Sequence, residues 1–344
     1  MPEYGLPRVA CLQLDSKHAD VEQNAQKVES LTNHLRPGSL DILVLPELAL
    51  TGYVFKDHEE ISGFLEGPSL PSSSSPTLKL ASDIARRLCC YVVAGLPEKA
   101  VDSSSSDQGS QIYGNNPKHA TCVSTSQPRD ARPLDADDHS LPQWAKPAYN
   151  SALLVDRQGR HIHTFRKHFL YEDDKRWSLE GPGFQVVDLP DVGRICVAIC
   201  MDLNPYEFKT DFGKFELANF CRELDVDALI VPMAWLLPPQ EACEVPDLKR
   251  PSMNTINYWA MRLEPLFVPA HSIDSEALED DEASLVPKSV KGGKAMVFAA
   301  ANRTGKELSS VFAGSSCQLL IQMNQRPLLL GALGISEEGV LLPD

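Results

Sequence analysis

The chain has 344 residues, of which 43% are hydrophobic, and its formal net charge is -15 at pH 7. This charge argues against the broad basic surface that nucleic acid or an anionic membrane requires, so neither partner is expected. The amino terminus lacks a basic segment followed by an apolar one, and no run approaches the roughly 20 apolar residues of a membrane span. Nine scattered cysteines without a CxxC pair indicate reduced thiols and a cytoplasmic protein.

Short runs rich in Val, Ile and Leu recur along the chain between Gly, Pro, Asp or Asn residues, and they predict strands. In chain order the runs are RVACLQL, DILVLPEL, YVVAGLPEK, YNSALLVD, HIHTFRK, FQVVDL, RICVAICMD, DALIVPMAW, LFVPAHSI, AMVFAAANR and CQLLIQM. Amphipathic stretches predict helices from Val21 to Leu35, Pro76 to Leu88, Phe215 to Leu224 and Ser252 to Arg262. Strands alternating with helices favour the α/β class.

Two polar stretches interrupt this pattern. Residues 101–145 are rich in Ser, Asp and Pro and nearly lack aliphatic side chains, so a flexible insertion is predicted. A shorter acidic loop is predicted at 275–284. Because strand-like runs of one style resume after each stretch, residues 1–344 are expected to form a single domain.

Three of the apolar runs end in a chemically reactive side chain. They end in Glu47, Lys167 and Cys200, and sites in α/β proteins collect at strand ends. Cys200 is the candidate nucleophile, since a strand-to-helix junction places backbone N–H groups near the sulfur. Glu47 is the candidate general base, and Lys167 offers a cation and an oxyanion donor.

Each of the three has a simpler interpretation as well. A cysteine in an apolar run is most often a core residue, and Cys196 on the same strand is such a case. Glu47 could begin a helix, and Lys167 could belong to a solvated basic group. A metal site built from nearby histidines is disfavoured by their spacing. The histidines concerned are His161, His163 and His168.

The segments VLPELALTGY, FRKHFLYEDD and ICMDLNPYEF resemble the three motifs of the nitrilase superfamily, in its usual order of Glu, Lys and Cys. The segments KHFLYEDDKRWSLEGPGF, VPMAWL, NRTGKE and FAGSSC are closer to one branch, the fungal protein N-terminal amidases. The resemblance implies an αββα sandwich, in which two mixed sheets lie between helix layers. It also implies hydrolysis of a non-peptide C–N bond without a cofactor or metal.

Carried over by motif, Glu47 is the general base, Lys167 the oxyanion donor and Cys200 the nucleophile. The backbone N–H of Met201 would complete the oxyanion hole. Many relatives carry a further carboxylate near the site, and the resemblance leaves four candidates open for this role. They are Glu98, Glu172, Asp173 and Asp174.

The branch implies conversion of amino-terminal Asn and Gln of proteins to Asp and Glu through a Cys thioester, feeding N-terminal degradation signals. Selectivity for a free amino terminus requires a carboxylate that binds the α-ammonium group. Four residues are candidates for substrate contacts, the last as a wall of the pocket: Glu98, Asp174, Asp202 and Trp235. The alternatives are an amidase or carbamoylase acting on a free small molecule, and a non-catalytic binding protein. A homodimer is a further expectation from the superfamily.

Overall fold

The computed structural model describes residues 5–67, 75–100, 148–238, 241, 248–269 and 294–343, together with the backbone of 121–123. The predicted acidic loop 275–284 lies outside the described residues, as does most of the predicted insertion 101–145. The described part of that insertion, Thr121–Val123, forms a short strand. In the described part of the chain no helix is both long enough and apolar enough to cross a membrane.

The elements are labelled in chain order. The α-helices are α1 (Val21–Thr32), α2 (His58–Ser62), α3 (Pro76–Leu88), α4 (Glu216–Glu223) and α5 (Met253–Met261). The first strands are β1 (Val9–Gln13), β2 (Ile42–Val44), β3 (Tyr91–Lys99), β4 (Thr121–Val123), β5 (Ala148–Val155), β6 (His161–Arg166), β7 (Val186–Leu189) and β8 (Gly193–Val197). The remaining strands are β9 (Ala228–Met233), β10 (Met296–Asn302), β11 (Lys306–Glu307), β12 (Ser310–Val311), β13 (Cys317–Ile321), β14 (Leu328–Ala332) and β15 (Gly339–Leu341).

Most strands belong to two mixed sheets. The first sheet has the order β15-β1-β2-β3-β5-β6, and the second has the order β14-β13-β10-β9-β8-β7-β4. In the first sheet β1, β2 and β3 are parallel, whereas β5 and β6 run antiparallel to their neighbours. In the second sheet β8, β9 and β10 form the parallel centre.

The period of two along β1 shows how the layers form. Val9 and Cys11 belong to the hydrophobic core that also contains the second sheet, whereas Ala10 and Leu12 belong to the core beneath α1 and α3. Both faces of the strand are therefore buried, which explains its nearly continuous apolar sequence. Residues of α4 and α5 pack with the second sheet, so the order of layers is helices, sheet, sheet, helices. The predicted αββα sandwich is confirmed.

The predicted elements agree with the structure in most places. The four predicted helices correspond to α1, α3, α4 and α5, with ends shifted by three residues or fewer. The prediction of a strand at LFVPAHSI is wrong in its described part, where Pro265 opens a 3-10 turn at Glu264–Leu266. Proline favours such a helix start, and it removes a backbone donor that a strand would need. The short strands β4, β11, β12, β14 and β15 were not predicted from the apolar runs.

Candidate active site

The three residues singled out by the motifs lie at strand ends and meet between the sheets. Glu47 follows β2, Lys167 directly follows β6, and Cys200 lies three residues after β8. The side chains of Glu47 and Lys167 are fully buried, and Cys200 is 7% exposed. A buried carboxylate and a buried ammonium group require partners, and the surrounding contacts supply them.

A glycine allows Glu47 to approach its neighbouring strand. A Cβ atom at Gly95 in β3 would lie 2.7 Å from the Cα atom of Glu47 and 2.6 Å from the backbone nitrogen of Leu48. Side chains do not tolerate contacts this short with backbone atoms, so this position requires glycine. The segment that carries Glu47 is thus packed directly against β3.

Lys167 connects two carboxylates. Its Nζ atom donates to Glu47 Oε1 at 2.6 Å and to Asp174 Oδ2 at 2.5 Å. Asp174 is fully buried and also accepts the backbone N–H of Tyr171 at 2.9 Å. Among the four candidates for a further carboxylate, Asp174 is therefore the one that lies in the centre.

A buried amide completes this network. Asn150 Nδ2 donates to Glu47 Oε1 at 2.7 Å and to Asp174 Oδ1 at 2.9 Å. The other oxygen of Glu47, Oε2, accepts the backbone N–H of Ala234 at 2.8 Å. Glu47 is thus held by donors from both sheets, because Asn150 lies in β5 and Ala234 follows β9.

Cys200 occupies an unusual backbone conformation. Its φ angle is 42°, in the left-handed region that non-glycine residues rarely adopt, and it begins a 3-10 helix at Cys200–Leu203. Residues held in such conformations cluster at functional sites. The backbone N–H of Ala234, which binds Glu47, also lies within hydrogen-bonding reach of the Cys200 sulfur. The sulfur and Glu47 Oε2 therefore both lie near this N–H group.

Burial determines the charge states of these groups. Burial raises the pKa of the Cys200 thiol well above its usual range, and the neighbouring Glu47 carboxylate raises it further. Burial also raises the pKa of Glu47, an effect that the Lys167 charge opposes. Burial alone would lower the pKa of Lys167, but the carboxylates of Asp174 and Glu47 raise it. The resting centre thus holds a neutral thiol and a charged lysine, so proton transfer to a base must accompany nucleophilic attack.

Two donors are available for an oxyanion. Lys167 has three N–H bonds, of which two point at carboxylates, so one remains. Met201 is the second residue of its 3-10 helix, so its N–H has no partner within that helix. The predicted oxyanion role of Met201 agrees with this position and stays a prediction.

Asp202 was predicted to contact the substrate, but its carboxylate binds backbone N–H groups instead. It is 2% exposed and accepts the backbone N–H groups of Ile199 at 2.8 Å, His168 at 3.0 Å and Phe169 at 2.7 Å. These bonds join the turn that begins at Cys200 to the chain just after Lys167. The Asp202 carboxylate thus already accepts hydrogen bonds from three backbone donors.

The remaining candidate carboxylates have other partners. Glu98 receives two bonds from Arg166, at 2.9 and 2.7 Å, and one from Ser151 at 2.7 Å. Asp173 pairs with the half-exposed Arg176 at 3.0 Å. The side chain of Glu172 is 71% exposed.

Trp235 follows Ala234, and its ring packs against the rings of Tyr258 at 5.6 Å and Trp259 at 5.8 Å. Its predicted role as a wall of the substrate pocket stays a prediction. Tyr53 lies closer to the centre, since its ring centroid is 5.7 Å from Lys167 Nζ. No role was predicted for this tyrosine from the sequence.

The three histidines near Lys167 each contact a different partner. His161 pairs with Thr164 at 2.8 Å, His163 with Gln185 at 3.1 Å, and His168 with the Gly181 carbonyl at 3.0 Å. Within the described ranges no three His, Cys, Asp or Glu side chains are arranged to hold a metal ion. The seven cysteines described by the structure are free thiols.

Asn150 and Gly95 contact Glu47 in this centre, although no pattern in the sequence predicted either residue. Asn150 interrupts the apolar run YNSALLV, and a buried amide in such a run signals a specific partner. The glycine in YVVAGLPEK is a comparable signal, because glycine inside a strand often marks close backbone approach.

Comparison with known proteins supports the family suggested by this centre. Residues 8–121 match the profile of the family described as Carbon-nitrogen hydrolase. The chain is 29% identical to a protein N-terminal amidase of Schizosaccharomyces pombe over 97% of this chain and 98% of that protein. A protein N-terminal amidase of Saccharomyces cerevisiae is 27% identical over 67% of this chain, and the match covers 45% of that longer protein.

Solved structures agree on the fold. A crystal structure of N-terminal amidase with a Gln-Gly peptide has a TM-score of 0.69 and 22% identity, over 98% of this chain and 96% of that one. An amidase of the nitrilase superfamily from Nesterenkonia has a TM-score of 0.56 and 15% identity, over 99% of this chain and 92% of that one. These comparisons show that residues 8–121 match the Carbon-nitrogen hydrolase family, that the chain is similar along nearly its whole length to a protein N-terminal amidase, and that it shares the fold of nitrilase-superfamily structures.

Proposed function

We propose that this enzyme hydrolyses the side-chain amide of an amino-terminal Asn or Gln in proteins and peptides, giving Asp or Glu and ammonia. The observation that carries the proposal is the buried centre in which Lys167, Asn150 and the Ala234 N–H hold Glu47 beside Cys200. The full-length match to a protein N-terminal amidase supports the substrate class. Solved N-terminal amidases with Gln-Gly and Asn-Glu peptides support it as well.

The first half-reaction forms a thioester. Glu47 takes the proton of the neutral Cys200 thiol while the sulfur attacks the amide carbon. Lys167 and the Met201 N–H stabilise the oxyanion of the tetrahedral intermediate. The C–N bond then breaks, and the proton held by Glu47 passes to the leaving nitrogen, which departs as ammonia.

The second half-reaction restores the enzyme. Glu47, again a carboxylate, takes a proton from water as its oxygen attacks the thioester carbon. The same two donors stabilise the second oxyanion. The C–S bond breaks, Cys200 regains its proton from Glu47, and the product carboxylic acid leaves. The new amino-terminal Asp or Glu of the product would act in the cell as a degradation signal. The proposed enzyme is cytoplasmic and needs no cofactor.

Four synthetic peptides test the proposed substrate class. They begin with Asn, with Gln, with acetylated Asn, and with Gly followed by an internal Asn. Mass spectrometry follows conversion of amide to acid, and a coupled assay follows ammonia. We expect conversion of the first two peptides only, and its loss in Cys200→Ala.

Other outcomes would replace the proposal. Turnover of small amides or carbamoyl compounds with none of the peptides would point to the small-molecule amidase alternative. Absence of any Cys200-dependent turnover would favour a binding protein.

A further inference from the structure

Asn150 lies at the centre of the carboxylate network. Its side chain is fully buried in β5, and its own backbone oxygen accepts the N–H of Lys167 at 2.8 Å. One NH2 group donates to Glu47 and to Asp174 at once, the same two carboxylates that Lys167 joins. Two donors thus cross-link two acids, and one of these donors is uncharged.

The orientation of this amide is determined by chemistry. Both groups that face Nδ2 are carboxylates, which accept hydrogen bonds, so the reversed amide would place an acceptor against two acceptors. In the present orientation no protein donor from the described residues reaches Asn150 Oδ1. Asn150 thus keeps its hydrogen bonds to the two acids although its own oxygen receives no hydrogen bond from these residues.

The hydrogen bonds of Asn150 and Lys167 make the two oxygens of Glu47 unequal. Its Oε1 atom receives two donors, Lys167 at 2.6 Å and Asn150 at 2.7 Å, which occupy both lone-pair directions. Its Oε2 atom receives one donor, the Ala234 N–H at 2.8 Å, and keeps one lone pair. Because that N–H also influences the Cys200 thiol and lowers its pKa, Oε2 is the Glu47 oxygen on the side of the thiol.

We propose that Asn150 is a positioning residue that occupies Glu47 Oε1, so that the proton of Cys200 passes to Oε2 alone. It acts through Glu47 and keeps this carboxylate ionised and oriented towards the sulfur. The proposal concerns the hydrolase centre itself, and it holds for any amide substrate that Cys200 attacks.

Several charged or titratable groups surround Glu47. They are Lys167 at the end of β6, Asp174 in a 3-10 turn at Asp174–Arg176, Tyr53 in the loop after β2, and Cys200. Lys167 and Asn150 both lower the pKa of Glu47, against the effect of burial, whereas Asp174 raises it. Removing the Asn150 donor should therefore raise the pKa of Glu47. A larger part of the carboxyl groups would then be protonated at mildly acidic pH.

The test compares Asn150→Leu and Asn150→Asp with the unchanged enzyme. The first removes both donors at similar size, and the second keeps the shape but adds an acid. Ser151→Ala is the matched control, because Ser151 is also buried in β5 but bonds to Glu98. Two pH profiles are measured, kcat/KM on an Asn peptide and the rate of Cys200 alkylation by iodoacetamide.

We expect both Asn150 variants to move the acidic limb of both profiles upward by about one pH unit, a roughly tenfold loss below that limb. Ser151→Ala should keep the limb of the unchanged enzyme. A uniform loss at every pH, with the limb in place, would show that Asn150 only supports packing and would overturn the proposal.

The alkylation profile requires no peptide substrate. If the unchanged enzyme converts no peptide but its alkylation limb moves in the variants, the role of Asn150 stands and the proposed substrate falls. If peptides are converted and neither profile moves in the variants, the proposed substrate stands and the proposed role of Asn150 falls.

Discussion

The carboxylate of Asp202 accepts the backbone N–H of Phe169 at 2.7 Å, which ties the chain after Lys167 to the turn that carries Cys200. It also accepts the N–H groups of His168 and Ile199. Replacing Asp202 by Ala would leave two buried donors and one partly buried donor without an acceptor. Each such loss costs about 1 to 3 kcal/mol, so Asp202→Ala should lower the free energy of unfolding by several kcal/mol. Urea unfolding followed by fluorescence measures this.

Asp211→Ala provides the control for Asp202. Asp211 accepts one exposed backbone N–H, that of Gly213 at 2.8 Å, so its loss should cost about 1 kcal/mol or less. Equal midpoints for the two variants would contradict the connecting role of Asp202. The kcat/KM of Asp202→Ala should also fall, because Lys167 and Cys200 lose their common support.

Lys167→Met removes an oxyanion donor and the cation between two acids. Loss of one oxyanion donor costs about 10²- to 10³-fold in kcat. The unpaired carboxylates of Glu47 and Asp174 should in addition destabilise the fold by about 3 to 5 kcal/mol. Steady-state kinetics and thermal unfolding measure the two effects.

Lys175→Met is the matched control for Lys167. Lys175 forms surface ion pairs with Glu172 and Glu207, and its side chain is 34% exposed. Both its kcat and its melting temperature should remain close to those of the unchanged enzyme. Activity of Lys167→Met within threefold of the unchanged enzyme would rule out the oxyanion role.

The pH dependence of kcat/KM should have an acidic limb and no basic limb near neutrality. Glu47 must be ionised to accept the thiol proton, so activity exists above its pKa and is lost as pH falls through it. Burial raises that pKa, so the limb should lie above the usual range of a glutamate. The raised pKa values of Cys200 and Lys167 should keep the profile flat at about pH 8.5, where an ordinary thiol ionises. A bell-shaped profile falling near that pH would instead indicate a thiolate formed before substrate binds.

The three central residues can be predicted from the sequence because they lie at the ends of predicted strands. Glu47, Lys167 and Cys200 each end an apolar run, and parallel or neighbouring strands bring such ends together. The nearly continuous apolar sequence of β1 likewise indicates a strand that is buried on both faces, as in a layered sandwich. These are local patterns, and the structure reproduces them.

The missed features depend on contacts between distant segments. Three successive acids, Glu172, Asp173 and Asp174, are equivalent in the sequence. Only the 3-10 turn at Asp174–Arg176 directs Asp174 towards Lys167. The role of Asn150 depends on two carboxylates that lie 103 and 24 residues away along the chain. No local pattern contains that information.

Gly95→Ala is expected to lower the activity strongly although it changes no catalytic side chain. The added methyl group would lie 2.6 to 2.7 Å from backbone atoms of Pro46, Glu47 and Leu48, none of which can rotate away. Either β3 or the segment after β2 must shift, and a displacement of about 1 Å near the reacting groups can cost roughly 10²-fold in rate.

Gly63→Ala is the matched control, since the same methyl group at Gly63 meets nothing within 4 Å and its φ angle is -71°. This variant should keep full kcat/KM and stability. Steady-state kinetics on one Asn peptide, together with urea unfolding, compares the two. If Gly95→Ala kept the activity of Gly63→Ala, the position of Glu47 would not depend on its contact with β3. The general base would then tolerate a shift that its hydrogen bonds to Lys167 and Ala234 otherwise exclude.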